Sequence, residues 1–137
     1  MKDALNQELF PGDLIAFVTA KKTRIGIVKN QVAEGVPIKV IVPTFSIANR
    51  HDPQRRVWVA VTTPKLMYKN LRASEIIKVS RDVIGNCDPN YSPVWNLPTF
   101  TEEDKHRHRQ RYIQMFTWLF QFYPLPKLKL PPELKNL

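Results

Sequence analysis

Cysteine and glycine, which many metal-binding and phosphate-binding motifs require, are scarce in this sequence. Cys87 is the only cysteine among 137 residues, so an internal disulfide and any zinc site built on several cysteines are excluded. The four glycines are not spaced as in a phosphate-binding loop. A single thiol is typical of proteins kept in a reducing compartment, and we therefore expect a cytoplasmic protein.

Acidic residues and histidines are also poorly placed for catalysis. The only acidic cluster, residues 102–104, falls where a helix is expected to begin, and the helix dipole explains it. His106 and His108 lie two positions apart, so on a helix they point in different directions and cannot share a metal ion. We therefore expect a protein that is not an enzyme and that uses no cofactor or metal.

Long apolar runs are missing as well. The longest apolar-rich stretch, residues 112–123, contains Gln114 and Gln121 and is too short for a bilayer, which needs about 20 residues. No membrane partner is expected.

Positive charge is what the sequence has in excess. The formal net charge is +9, and residues 1–80 hold 13 Lys and Arg against 6 Asp and Glu, whereas residues 81–137 hold 8 against 6. A basic surface attracts polyanions through long-range electrostatics, although it also serves solubility alone. The charge therefore favours nucleic acid as a partner, mainly for the N-terminal part.

Residues 11–80 are typical of short strands separated by turn residues. Gly26 within the second strand indicates a bulge or tight bend. Five short strands joined by hairpins favour a closed barrel, because closure removes exposed sheet edges. The predicted strands are residues 14–19, 25–32, 37–43, 57–63 and 75–79, with a single helical or 3₁₀ turn at 69–74.

Three segments of this region resemble SH3-like barrels of the KOW type: GDLIAF at residues 12–17, IGIV at 25–28 and IKVIV at 38–42. Such domains occur in transcription elongation factors, ribosomal proteins and small phage-encoded regulators, so the resemblance implies DNA and RNA binding equally. If a phage encodes the chain, the host cytoplasm or nucleoid is the expected location. The sequence departs from the pattern by an insertion at residues 44–56, which we expect to be a long loop.

The C-terminal part is expected to be helical and then extended. Thr99 and Glu102 have the spacing of a capping box, and Pro124 should end a helix over residues 99–123. Its second half, residues 112–123, is apolar on nearly every face and must be buried against the barrel or against another protein. The Pro/Leu-rich tail, residues 124–137, favours polyproline-like conformations.

The predicted fold class is thus mainly β with appended α. It comprises a five-stranded SH3-like barrel over residues 1–80, a connector over 81–98, the helix over 99–123 and the tail over 124–137.

Three basic groups are candidate nucleic-acid contacts. A hairpin tip is formed by Lys21, Lys22 and Arg24, together with Lys29. The insertion contributes Arg50, His51, Arg55 and Arg56, and the first half of the helix contributes Lys105, Arg107, Arg109 and Arg111. Arginine binds phosphates and base edges bidentately, and a long loop is more often functional than idle, so we rank the insertion first. A solvated turn, a disordered loop and a solvated helix face are the respective alternatives.

Two aromatic residues belong to the same hypothesis. Trp58 and Tyr68 are either stacking platforms for bases or ordinary core residues.

The leading interpretation is a non-enzymatic nucleic-acid-binding accessory protein, with DNA the first choice and RNA the second, that modulates transcription or template access. The alternative is a protein-interaction module that docks on RNA polymerase or a phage assembly through residues 112–123 and the 124–137 tail.

Overall fold

A computed structural model describes residues 2–19, 22–29, 35–86, 100–122 and 129–136. Within these ranges, five strands form one antiparallel sheet. The spatial order is β4-β3-β2-β1-β5. The strands are β1 (Leu14–Thr19), β2 (Lys22–Val28), β3 (Ile38–Asp52), β4 (Val57–Leu71) and β5 (Ile76–Lys78). Two 3₁₀ turns, Ala73–Glu75 and Arg81–Asn86, precede the helices α1 (Glu102–Phe122) and α2 (Pro132–Lys135).

The mainly β fold with a C-terminal helix is confirmed, but the closed barrel is wrong. Closure would require the two edge strands, β4 and β5, to pair, and β5 pairs only with β1 in the described part of the chain. The strand β5 is three residues long, and the C-terminal residues Leu130 and Lys135 lie beside β4. The edge at which a barrel would close is therefore occupied by the tail.

The strands β3 and β4 are much longer than the sequence predicted. They pair continuously from Ile38 with Leu71 to Asp52 with Val57, so the expected loop at residues 44–56 is mostly strand. Pro43 and Pro64 predict strand ends, because proline cannot donate to a ladder. Both are tolerated because β4 is an edge strand and β2 pairs with β3 only as far as Ile41.

Gly26 permits a close approach of β2 to β3. A Cβ atom at this position would lie 2.5 Å from Cγ1 of Val40 and 2.8 Å from the carbonyl oxygen of Ile41. The bulge or tight bend expected at Gly26 stays a prediction, and what the structure shows at this position is the close approach of the neighbouring strand.

The apolar half of α1 packs on one face of the sheet. Its buried side chains Tyr112, Met115, Phe116 and Leu119 share a core cluster with Leu14, Ile25, Ile27, Ile41 and Phe45 of the strands. Leu130 and Leu134 of the tail belong to the same cluster. Of the two alternatives for this segment, the structure shows packing within the chain.

The N-terminal cap of the helix lies two residues later in the sequence than predicted. Thr101 donates its backbone N–H to the Asp104 carboxylate at 2.9 Å, and the Thr101 hydroxyl accepts from the Asp104 N–H at 3.1 Å. This reciprocal pair is a capping box, so the cap is Thr101 and not Thr99, which lies outside the described residues. The predicted helix end at residue 123 also lies outside them.

The smaller expectations are confirmed in part. The 3₁₀ turn predicted at residues 69–74 is found at Ala73–Glu75, since β4 continues through Leu71. In the connector, Ile84 is buried in the described part, and residues 87–99 lie outside it. The polyproline-like conformation predicted for the tail falls largely on residues 123–128, which are not described, and the short helix α2 was not predicted.

Candidate nucleic-acid interface

The distal part of the β3–β4 hairpin, residues 46–63, forms a two-stranded ribbon that we call the arm. Among the described residues, β3 pairs here with β4 alone, because its pairing with β2 stops at Ile41. At about 3.3 Å per residue, the seven residues from Ser46 to Asp52 extend about 23 Å. The insertion that the sequence assigned to a loop is therefore an ordered projection of the sheet.

A four-residue turn closes the arm. The carboxylate of Asp52 accepts hydrogen bonds from the backbone N–H groups of Gln54 at 3.0 Å and Arg55 at 3.4 Å. Arg56 has a φ of 55°, the left-handed conformation that returns the chain into β4. The Asp-Pro pair at residues 52–53 thus acts as a turn signal within the segment.

The arm carries basic and aromatic side chains near its tip. His51 pairs directly with Trp58 across the ribbon, and their rings lie 5.3 Å apart edge to face. Arg50 precedes His51 and therefore points to the opposite face. Arg55 is exposed and lies 3.7 Å from Asp52, a surface ion pair of little energetic value. The tip thus presents cations in the turn and on one face, and an aromatic pair on the other.

The two aromatic candidates are not core residues. The side chain of Trp58 is 70% exposed and that of Tyr68 is 42% exposed. Their use as stacking platforms remains a prediction, but the alternative of burial is excluded.

The residues predicted to form a basic hairpin tip do not all lie together in the structure. Lys22 is exposed at the start of β2, Arg24 is half-buried, and Lys21 lies outside the described residues. Lys29 follows the far end of β2, seven residues from Lys22 or about 23 Å along a strand, and was wrongly assigned to the tip. Its ammonium group instead lies 4.8 Å from the centre of the Tyr68 ring.

The β1–β2 and β3–β4 turns lie at the same end of the sheet. β1 and β3 are both antiparallel to β2, so they run in the same direction and both reach their following turn at one end. The topology therefore places Lys22 at the end of the sheet from which the arm extends.

The basic half of α1 is engaged within the chain. Lys105 forms an ion pair with Glu102 at 3.3 Å, and Arg107 pairs with Asp104. The guanidinium of Arg111 donates to the carbonyl oxygen of Glu133 at 2.9 Å, which ties α1 to α2, and Arg109 is half-buried. This group thus offers less uncompensated charge than the arm does.

His108, which the sequence suggests only as a possible metal ligand, is buried and connects α1 with β4. Its Nδ1 donates to the Asp104 carbonyl oxygen at 2.8 Å, since a carbonyl can only accept, and its Nε2 accepts from the Thr62 hydroxyl at 2.6 Å. Burial lowers the pKa of His108, and the hydrogen bond to Asp104 opposes this only in part. The neutral ring fixes α1 against the base of the arm.

Metal and membrane sites are not seen in the part of the chain that the structure describes. No three His, Cys, Asp or Glu side chains there are grouped as metal ligands would be. None of the helices in those ranges combines the length and the apolar character that a bilayer crossing requires.

Comparisons with known proteins give no relative for this chain. No family model, no curated protein and no solved structure matches it. The resemblance to KOW-type domains therefore stays a prediction.

Proposed function

We propose that this protein binds nucleic acid without catalysing a reaction, through its arm, with duplex DNA the first partner and RNA the second. The observation that carries this proposal is a projecting two-stranded ribbon with Arg50, Arg55 and Arg56 at its tip and a tryptophan that is 70% exposed beside them. The net charge of +9 supplies the long-range attraction to a polyanion.

The shape of the arm suits a groove. The major groove of B-DNA admits either an α-helix or a two-stranded β-ribbon. Arginines at the tip of a ribbon reach phosphates or the O6 and N7 atoms of guanine, and both contacts are bidentate. Because Arg50 and Trp58 lie on opposite faces, a ribbon inserted edge-on would contact both walls of the groove.

Groove geometry also distinguishes duplex DNA from RNA as a partner. The major groove of A-form RNA is deep and narrow, so a protein ribbon does not enter it. RNA would instead have to be single-stranded, with a base stacked on Trp58. The rings of Trp58 and His51 pack edge to face. Duplex DNA is therefore placed first.

The biological consequence of such binding would be stoichiometric. A protein that occupies a groove alters transcription or access to the template without turnover. The alternative module that docks through α1 and the tail is not favoured, since the apolar face of α1 and two leucines of the tail lie in the core.

The test is fluorescence anisotropy of labelled duplex DNA, duplex RNA and single-stranded RNA at two salt concentrations. The variant Arg50→Gln/Arg55→Gln removes two exposed cations from the arm. We expect it to weaken duplex DNA binding by tenfold or more and to reduce the slope of log K against log salt by about 2.

A matched control removes the same charge elsewhere. Arg72 follows β4 at the end of the sheet opposite the arm, and the exposed Lys2 lies next to Asp3, which binds β5 at the other edge of the sheet. If Arg72→Gln/Lys2→Gln weakens binding as much as the arm variant does, general charge and not the arm is responsible. Absence of binding at low salt, or affinity indifferent to salt, would refute nucleic-acid binding altogether.

A further inference from the structure

A cleft of about 280 Å³ lies between the edge strand β4 and the C-terminal tail, away from the arm tip. The strand contributes Lys65, Leu66 and Tyr68 to its lining, and the tail contributes Lys129, Leu130 and Lys135. The cleft exists because the tail packs beside β4, where a closed barrel would have placed another strand.

The lining combines an apolar surface with positive charge. Leu66 and Leu130 form apolar walls, and the Tyr68 ring is 42% exposed. Three lysines line the cleft, Lys29 lies 4.8 Å from the Tyr68 ring centre, and no acidic side chain is among the lining residues that the structure describes. An anion entering the cleft would therefore meet several ammonium groups and no opposing carboxylate.

We propose that this cleft binds a phosphate-bearing nucleotide, with the base against Tyr68 and the leucines and the phosphate among the lysines. An aromatic ring stacks on any base, and lysine binds phosphate as a point charge. The volume of about 280 Å³ lies just below the usual range for ligand pockets, which suits one nucleotide unit and not a folded polymer. The same chemistry is presented by a free nucleotide and by one unit of a single strand.

The cleft is separate from the tip of the arm, although Thr63 at the base of the arm is among its lining residues. Trp58 and Tyr68 are ten residues apart in β4, and the unbroken register with β3 places them on the same face about 33 Å apart. Nucleotide binding in the cleft therefore does not rest on duplex binding at the arm.

The experiment is isothermal titration calorimetry of the full chain with four probes: adenosine monophosphate, adenosine, inorganic phosphate and a 5′-phosphorylated hexamer of deoxyadenosine. Adenosine monophosphate or the hexamer should bind more tightly than adenosine or phosphate alone. Tyr68→Ala should lower the affinity about tenfold, because base stacking is lost. Lys65→Gln/Lys135→Gln should lower the affinity and its salt dependence, and it tests the site even if Tyr68→Ala does not fold.

Controls separate this site from the arm. Tyr68→Phe keeps the ring and should bind normally, and Arg50→Gln/Arg55→Gln should retain nucleotide binding while its duplex DNA binding is weakened. If the hexamer binds and adenosine monophosphate does not, the ligand of the site is a single strand. If both bind, the free nucleotide is a ligand as well. The proposal is overturned if neither probe binds, or if Tyr68→Ala and the lysine variant leave the binding of both unchanged.

Discussion

At the scale of single residues, His108 couples the protonation state of one ring to the packing of α1 on the sheet. Its ring lies between Phe45 and Phe100, with both ring centres 4.8 Å away, and its two nitrogens are both hydrogen-bonded. In the neutral form these two bonds satisfy the ring. A proton on Nε2 would turn the acceptor of the Thr62 hydroxyl into a donor and place a charge in a buried site.

This predicts a specific pH dependence of stability. The folded protein has a lowered His108 pKa, so the unfolded chain binds more protons below its usual value of about 6.5. The contribution of His108 to the free energy of unfolding is complete above about pH 6.5 and is lost as pH falls through the folded pKa. Urea unfolding measured between pH 8 and pH 5 should show this loss.

The control for this pH effect is His108→Gln. Its stability should be lower at pH 8, because two hydrogen bonds are disturbed, but it should change less between pH 8 and pH 5. His51 and His106 are exposed and remain present in both proteins. An equal decline in both proteins would show that His108 is not the group responsible.

Asp3 gives a second prediction at the same scale. Its buried carboxylate accepts from the backbone N–H of Leu5, Gln7 and Lys78 at 2.7 to 2.9 Å, and from the Gln7 side chain. Burial alone would raise the pKa of Asp3, but these hydrogen bonds outweigh it and the pKa is lowered. Asp3→Ala should therefore cost about 2–3 kcal/mol of unfolding free energy at pH 7, since hydrogen bonds to a charged group are lost.

Chemical denaturation of Asp3→Ala beside Glu103→Gln checks this prediction. Glu103 is an exposed acid, so its loss should change stability little. The difference between Asp3→Ala and the parent should shrink as pH falls below about 4, where the Asp3 carboxylate of the unfolded chain begins to be protonated, and should vanish once pH has passed the lowered pKa of the folded chain. A cost that does not change with pH would point to packing instead.

At the scale of elements, the close approach of β3 to β2 at Gly26 predicts intolerance of any side chain there. Gly26→Ala would place its Cβ against the backbone carbonyl of Ile41 and the Val40 side chain, both in the buried sheet. Overpacking of this kind costs about 1–3 kcal/mol, and a backbone atom cannot rotate away. Thermal unfolding of Gly26→Ala should therefore show a clearly lower Tm.

Gly85 offers the matched control. A Cβ added at Gly85 has no heavy atom within 4 Å, so Gly85→Ala should leave the Tm nearly unchanged. Equal effects of the two substitutions would mean that glycine flexibility, and not the close approach of β3, determines stability.

The strands differ in how well their bounds can be predicted from the sequence. β1 was predicted at its observed bounds, because its apolar residues stand between clear turn signals. The predicted β3 and β4 end too early, at Pro43 and Pro64. Proline is tolerated in a strand where its backbone faces a free edge, and only the order of strands in the sheet shows where that edge is. The arginines and the tryptophan of the arm could be identified by residue type. Their assembly on a ribbon, and the cleft beside Tyr68, depend on long-range pairing that no local pattern encodes.

At the scale of the whole molecule, one face of the described sheet, α1 and the tail share a core cluster. Leu130 and Leu134 are buried beside Phe116 and Leu119, and Arg111 donates to the backbone of α2. The exposed face of α1 carries Gln114, Thr117 and Gln121, which is ordinary for a helix that packs on a sheet. The tail is therefore part of the folding unit and not an addition to it.

Removal of tail contacts should consequently destabilise the entire protein. Leu134→Ala leaves a cavity in the shared core, and such changes cost about 2–5 kcal/mol. Circular dichroism of the helix and tryptophan fluorescence should report one coincident transition at a lower denaturant concentration, because the parts unfold together. A tail that served only a partner would give the opposite result, with Leu134→Ala as stable as the parent protein. The exposed neighbour Lys135→Ala is the control, and it should keep the parent's transition, since its side chain contributes no buried apolar surface to the core.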